Sequence, residues 1–185
     1  MNDNSTDIDP MIKLKQSRKA RYVGRFAGQQ LLNPPNIAEH EQAVASMFIW
    51  LARTWSVEIT PQQIDFVLNH DILETETGDL LFHTKHDGNE ARWDLIEATV
   101  AKKFPHMAFY TDAFNPLNDK TEWLFKYCDY LEGIITCLEE QKMGNGNKEP
   151  KDCIRQYQAA MEGLFSRQSC VPQALSFYDR VMEVF

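Results

Sequence analysis

The sequence predicts an all-α fold, a helical bundle of roughly six to eight helices. Three observations carry that expectation. Apolar residues recur at three- and four-residue intervals along most of the chain. Capping signatures stand where two of those stretches begin, Asn36 with Glu39 and Thr60 with Gln63. No segment shows the two-residue alternation of a half-buried strand.

Residues 1–12 read as a disordered lead, polar and acidic over MNDNSTDIDP. Residues 13–185 are expected to form one domain, because a chain of 185 residues suits a single sizeable core. The basic stretch from Lys13 to Arg25 reads as a solvated helix face. Pro34-Pro35 marks a turn, and a helix is predicted from about Asn36 to Arg53, with Ile37, Val44, Phe48 and Leu51 on its buried stripe. His40 falls on that stripe.

Thr60, with Pro61 at the first helical position and Gln63 closing the box, opens a second helix. Ile64, Val67 and Leu68 form its apolar face, and Val67, His70, Asp71 and Glu74 continue the same periodicity to a stop at Thr77-Gly78-Asp79. His83 to Asn89 reads as a loop. A helix follows from about Glu90 to Phe104, carrying Trp93, Ile96 and Val100. A long one runs from about Lys120 to Lys142, with Leu124, Cys128, Leu131, Ile135 and Leu138 as its stripe and Asp129 at the edge. Met143 to Pro150 is a flexible connection. Amphipathic segments at about 152–167 and 172–185 close the chain, and the region 151–185 is expected to pack on the rest. Met161, Leu164, Phe165, Tyr178 and Phe185 there suit either core or a subunit contact.

Composition narrows the function. No apolar run approaches the ~20 residues of a membrane span, and the first residues lack the basic and apolar regions of a secretory signal. The expected location is the cytoplasm, or the host cytoplasm were the chain phage-encoded. The formal net charge of −8 argues against a nucleic-acid polymer as partner, though not against a small nucleotide. Cys128, Cys137, Cys153 and Cys170 form no CxxC pair, so free buried thiols are expected rather than a zinc knuckle.

Three polar intrusions break the apolar faces: His40, the pair His70-Asp71, and Asp129. A buried carboxylate or imidazole is costly unless it is paired or bound to a metal. Two imidazoles and two carboxylates make a mixed nitrogen and oxygen shell that suits Mn, Co, Fe or Zn better than Mg. Such an ion would acidify a water and polarise a phosphoryl group. Glu74, one turn beyond His70, is spaced to orient or deprotonate that water. Singly, His40 also fits a hydrogen-bonded core histidine and Asp129 a salt-bridge partner of Lys126. His83 and His86 flank Lys85 in the loop and suit phosphate or solvent contacts.

The order His…His-Asp…Asp resembles that of the HD superfamily, and most closely its small bacterial 5′-deoxynucleotidases and phage dATP triphosphohydrolases. Residues 36–40 (NIAEH) resemble that family's N-[VI]-S-E-H, and residues 70–74 (HDILE) its H-D-x-x-E. Thr77-Gly78-Asp79-Leu80 with Lys85 resembles T-G-D-L…K, and Cys128-Asp129 through Cys137-Leu138-Glu139-Glu140 resembles A-D…C-L-E-E. The likeness runs from about Arg25 to Glu140.

The resemblance implies an HD-domain hydrolase of 2′-deoxynucleotides that uses one divalent transition metal, with Co, Mn or Zn expected. His40, His70, Asp71 and Asp129 take the ligand positions. Glu74 takes the position that handles the nucleophilic water, and Asp79 a second catalytic position near phosphate and sugar. Arg25 and Lys85 are expected to bind phosphate. Phe26 stands where the family has a base-stacking tryptophan, and Ala27-Gly28-Gln29 departs from the family pattern. The family is oligomeric, which implies a homo-oligomer. Both a monophosphate and a triphosphate substrate stay open, the monophosphate being favoured. A non-catalytic HD-like binding protein is the alternative of another class.

Overall fold

The computed structural model describes residues 10–79, 90–167 and 171–185. The expectations placed on residues 1–9, on Lys85, His83 and His86, and on Cys170 lie outside the described residues. Within them the all-α expectation holds. Among the described residues there are eight α-helices: α1 (Pro10–Lys19), α2 (Ile37–Thr54), α3 (Pro61–Leu68), α4 (Glu74–Thr77), α5 (Glu90–Lys103), α6 (Asp119–Lys142), α7 (Lys148–Phe165) and α8 (Gln173–Val184). Short 3-10 segments occupy Ala20–Tyr22, Pro105–Tyr110 and Asp112–Phe114. Among the described residues no strand forms; Gly24 and Asn36 make an isolated antiparallel bridge. Among the described residues no helix is long and apolar enough to cross a membrane.

The chain builds two compact units. The first takes the described residues of Met1–Ala27, Pro35–Glu39 and Asn69–Asn115; the second takes Gly28–Pro34, His40–Leu68 and Pro116–Phe185. In the first, Arg25 N–H donates to the Pro35 carbonyl at 2.8 Å and Ile37 N–H to the Val23 carbonyl at 2.9 Å, which ties the residues around Arg25 to the start of α2. The Asn36 capping box is reciprocal: Glu39 N–H donates to Asn36 Oδ1 and Asn36 N–H to Glu39 Oε2, each at 3.0 Å. Lys19 and Gln16 of α1 reach Glu76, Lys19 at 2.5 Å and Gln16 at 3.1 Å. Burial raises the Glu76 carboxyl pKa, but these two hydrogen bonds outweigh it and leave the group below its usual range. Lys15, Arg18, Lys19 and Arg21 are exposed, as expected of a solvated face, while Arg25 is only partly exposed.

The predicted second helix needs correcting. It ends at Leu68, and a turn of five residues separates it from α4. There the hydrogen bonds tighten to i→i+3: Ile72 N–H to the Asn69 carbonyl at 3.1 Å and Glu74 N–H to the Asp71 carbonyl at 2.9 Å. His70 and Asp71 thus sit on a turn rather than on a helix. The predicted stop survives, since Gly78 has φ 77° and its N–H donates to the Glu74 carbonyl at 2.8 Å. Leu68, assigned to the apolar face, is exposed, whereas Phe66 and Val67 are buried.

In the second unit α6 is the central rod. Gln63 closes the Thr60 box and also donates from Nε2 to the Pro116 carbonyl and to Thr121 Oγ1, both at 3.2 Å, which links the start of α3 to the start of α6. Asn118 caps α6 through its own box with Thr121. Trp123 Nε1–H donates to the Leu164 carbonyl at 2.8 Å and Tyr127 O–H to the Ala174 carbonyl at 3.0 Å, so α7 and α8 are pinned to α6 by the polar ends of buried aromatics. The α6 face is wider than the predicted stripe: Trp123, Tyr127, Ile134 and Cys137 are buried, while Ile135 and Leu138 are only half-buried. The predicted flexible connection is also shorter, because α7 begins at Lys148 with Pro150 in its first turn, where a missing N–H costs nothing. Cys128, Cys137 and Cys153 are free and buried.

α6 and α7 run antiparallel and meet closely at Gly133, where a Cβ would lie 2.6 Å from the Tyr157 ring. Gly133→Ala gains helix propensity of about 1 kcal/mol but overpacks a buried ring, at a cost of roughly 1–3 kcal/mol. The expected outcome is a lower urea midpoint; a raised midpoint would show that the ring yields freely.

Glu140, at the end of α6, accepts from Leu32 N–H at 2.6 Å, Asn33 N–H at 2.7 Å and Asn145 Nδ2 at 2.7 Å. Burial raises its carboxyl pKa, yet these donors prevail and hold it below the ordinary 4.5. Folding therefore favours the ionised form. That stability is present above pH 4.5 and lost as pH falls through the lower folded value. Urea unfolding from pH 7 to 3 should show the acid loss in the parent and a flatter profile in Glu140→Gln.

Candidate active site

The second unit carries one half of the predicted constellation. His40, in the first turn of α2, is completely buried. An imidazole there must satisfy two ring nitrogens. Its Nδ1 lies 2.5 Å from Glu132 Oε2, and its Nε2 lies 3.3 Å from Asp129 Oδ1. Thr136 Oγ1–H donates to Glu132 Oε1 at 3.0 Å. Asp129, Glu132 and Thr136 follow one another at three- and four-residue steps on α6, so one helix face delivers all three. Helix α2 places His40 because the Asn36 box starts it one residue before Ile37.

Glu132 was not among the expected site residues. The signal was present: Glu132 stands four residues after Cys128 and next to Leu131, inside the predicted buried stripe. An acidic residue in such a stripe needs a partner as much as His40 does.

The first unit carries the other half. His70 and Asp71 are both largely buried, and His70 Nε2 lies 3.7 Å from Asp71 Oδ2. Adjacent residues on an α-helix do not face each other; the turn after Leu68 lets these two do so. Arg25 forms a largely buried salt bridge from Nη1 to Asp71 Oδ2. Glu74 opens α4 and is 1% exposed. Asp79 Oδ2 accepts from Ala27 N–H at 2.9 Å, which fixes the backbone two residues beyond Arg25. Between them Phe26 adopts φ 59°, a left-handed conformation that costs a bulky residue of order 1–3 kcal/mol. Its ring is buried, with the Arg25 guanidinium 5.8 Å from the centroid.

Each half therefore offers one imidazole and one carboxylate side by side. The 3.3 Å between His40 Nε2 and Asp129 Oδ1 is close to the about 3 Å that separates neighbouring ligand atoms around an ion bound at ~2.1 Å. Donor type and spacing in this half fit a transition metal.

Comparison with known proteins gives three findings. The family described as 5′-deoxynucleotidase YfbR-like matches residues 14–182. A dATP triphosphohydrolase of cyanophage S-2L is 29% identical over 124 residues, covering 63% of this chain and 65% of the relative, so the match spans just under two thirds of that protein's length. Solved structures share the fold. An HD phosphohydrolase of cyanophage S-2L, bound to dA and one catalytic Zn2+ ion, superposes with a TM-score of 0.69 at 18% identity over 92% of this chain and 96% of that one. A protein of Pyrococcus horikoshii gives 0.70 at 19% over 95% and 99%, and an HD-domain phosphohydrolase of Listeria innocua 0.69 at 13% over 92% and 98%. At such identities the likeness is one of fold, and it agrees with the all-α helical bundle.

The Arg25–Asp71 pair sets a stability expectation. Removing one partner of a buried ion pair leaves the other charge poorly compensated, a loss of about 3 kcal/mol. Asp71→Asn in metal-free protein should lower the unfolding free energy by that order in a denaturant titration. An unchanged value would mean that the pair contributes nothing to the fold.

Proposed function

The chain belongs to the 5′-deoxynucleotidase YfbR-like family, and on that footing we propose that it is a metal-dependent HD phosphohydrolase of 2′-deoxynucleotides. The observation that carries this reading is the pairing of an imidazole with a carboxylate twice over, His40 with Asp129 and His70 with Asp71. We assign these four residues to one divalent ion, with Zn, Co or Mn suited to the donor set. When bound, the ion polarises the phosphoryl group and acidifies water.

The remaining roles fall to the chain's own side chains. Glu74 takes the proton of the attacking water, a task that suits a buried carboxylate. Arg25 and Lys85 neutralise charge on the phosphate oxygens, and Arg25 is kept near Asp71 by their salt bridge. Asp79 protonates the leaving 5′-oxygen or holds the sugar, and its bond to Ala27 N–H also steadies the Arg25–Phe26 segment. Phe26 is the base-stacking candidate; its buried ring supports an apolar wall beside Arg25. The family match runs through both units, which supports one working HD domain over residues 13–185.

The favoured reaction is hydrolysis of a deoxynucleoside monophosphate to deoxynucleoside and orthophosphate, a reading supported by the match to a family described as 5′-deoxynucleotidase YfbR-like. The second reading, release of tripolyphosphate from a deoxynucleoside triphosphate, draws on the cyanophage dATP triphosphohydrolase. We assign the protein to the cytoplasm and a small deoxynucleotide, not a nucleic-acid polymer, as its partner. Exposed Met11 and Leu14 on α1 and Leu95 on α5 support a homo-oligomer, which sedimentation of the purified chain tests.

Incubation with a deoxynucleotide panel in Mn2+ or Co2+ should release orthophosphate from monophosphates. Tripolyphosphate from a triphosphate would establish the second reading instead. Asp71→Ala should abolish turnover, and Glu74→Gln should lower kcat by about 10²–10⁴-fold. Full turnover by Asp71→Ala would overturn the enzyme assignment.

A further inference from the structure

Glu132 is a residue that neither the motif pattern nor the family likeness singles out. It is 8% exposed, with its carboxylate taken on both oxygens by named donors. Oε2 sits on His40 Nδ1 at 2.5 Å and Oε1 accepts from Thr136 at 3.0 Å. A carboxylate hydrogen-bonded at both oxygens is held in one orientation, and it orients in turn the ring it binds. With Nδ1 occupied, Nε2 is the nitrogen of His40 turned toward Asp129. We propose that Glu132 is a positioning residue for the metal centre, fixing His40 so that Nε2 and the Asp129 carboxylate are presented together to one divalent cation.

This inference rests on the assignment of His40 and Asp129 as ligands. The physical logic is that of an outer-shell carboxylate behind a ligating histidine. It selects which ring nitrogen donates its proton outward, and it increases the basicity of the other nitrogen toward the ion. Thr136 serves the carboxylate in the same way, one step further out. The register is local to α6. Asp129, Glu132 and Thr136 share one face, so a rotation of that helix would displace ligand and support together.

The test is metal affinity in the full chain, read without reference to turnover. Protein stripped with a chelator is titrated with Zn2+ against a chromophoric competitor, for the parent, Glu132→Gln, Glu132→Ala and Thr136→Val. The expected loss is about 10–100-fold in Kd for Glu132→Ala. Glu132→Gln, whose amide oxygen still accepts from Nδ1–H without the charge, should lose less, and Thr136→Val least. Nitrogen NMR of the His40 ring should show a proton fixed on Nδ1 in the zinc-bound parent and a mixed population in Glu132→Ala. Parental Kd in a folded Glu132→Ala would overturn the proposal. Should that variant fail to fold, the isosteric Glu132→Gln decides, and parental affinity there overturns it equally. His40→Ala and Asp71→Ala separate the two levels. If they too keep the parental Kd, the ligand assignment fails; if they lose binding while the Glu132 variants keep it, only the positioning role fails.

Discussion

His40 is sealed from solvent, and an imidazole can stay there only when both its nitrogens have partners. Much of the second unit serves that requirement. α6 must present Asp129 and Glu132 on one side while burying Trp123, Tyr127 and Cys137 elsewhere around its circumference. The aromatic hydrogen bonds to the Leu164 and Ala174 carbonyls hold α7 and α8 against that rod, and the Thr121 contact with Gln63 sets where it begins. A helix so constrained has little freedom to turn about its own axis. The polar face toward His40 is therefore as well determined as the apolar ones.

The other half of the constellation is solved differently. In place of a rigid rod, a turn of i→i+3 bonds carries His70 and Asp71, and Arg25 braces the carboxylate from a separate stretch of chain. The turn matters because neighbours in sequence diverge on a regular helix. Breaking α3 after Leu68 lets an adjacent histidine and aspartate act as a pair. Glu74 begins the next helix directly afterwards, so the break also places a buried carboxylate three residues beyond Asp71. The strained φ of Phe26, between Arg25 and the residue that Asp79 holds, marks this segment as one whose conformation is imposed by its surroundings.

Much of this was legible in the residues. Both capping boxes formed as their spacing required, because a cap is a contact among four consecutive residues and needs no tertiary partner. The Gly78 stop was legible for the same reason. The break after Leu68 was not, since Val67, His70, Asp71 and Glu74 keep a helical period whether or not the hydrogen bonds do. The breadth of the α6 face escaped periodicity as well: a helix covered on several sides buries Trp123 and Ile134, which a single stripe omits. Glu132 stood within the buried stripe, but its use depends on the His40 ring 92 residues away, which no local pattern shows.

The sequence by itself determined the fold class and the starts of α2 and α3, and it offered the residue types of a candidate site. These depend on local periodicity and on donor chemistry, both carried by residues close together in the chain. Only the tertiary structure decided how those residues are used. It gave His40 its two carboxylates, 89 and 92 residues further on, turned His70 and Asp71 toward each other, and set Arg25 on Asp71 across 46 residues. Such contacts are chosen by packing between distant segments, and no local pattern encodes them.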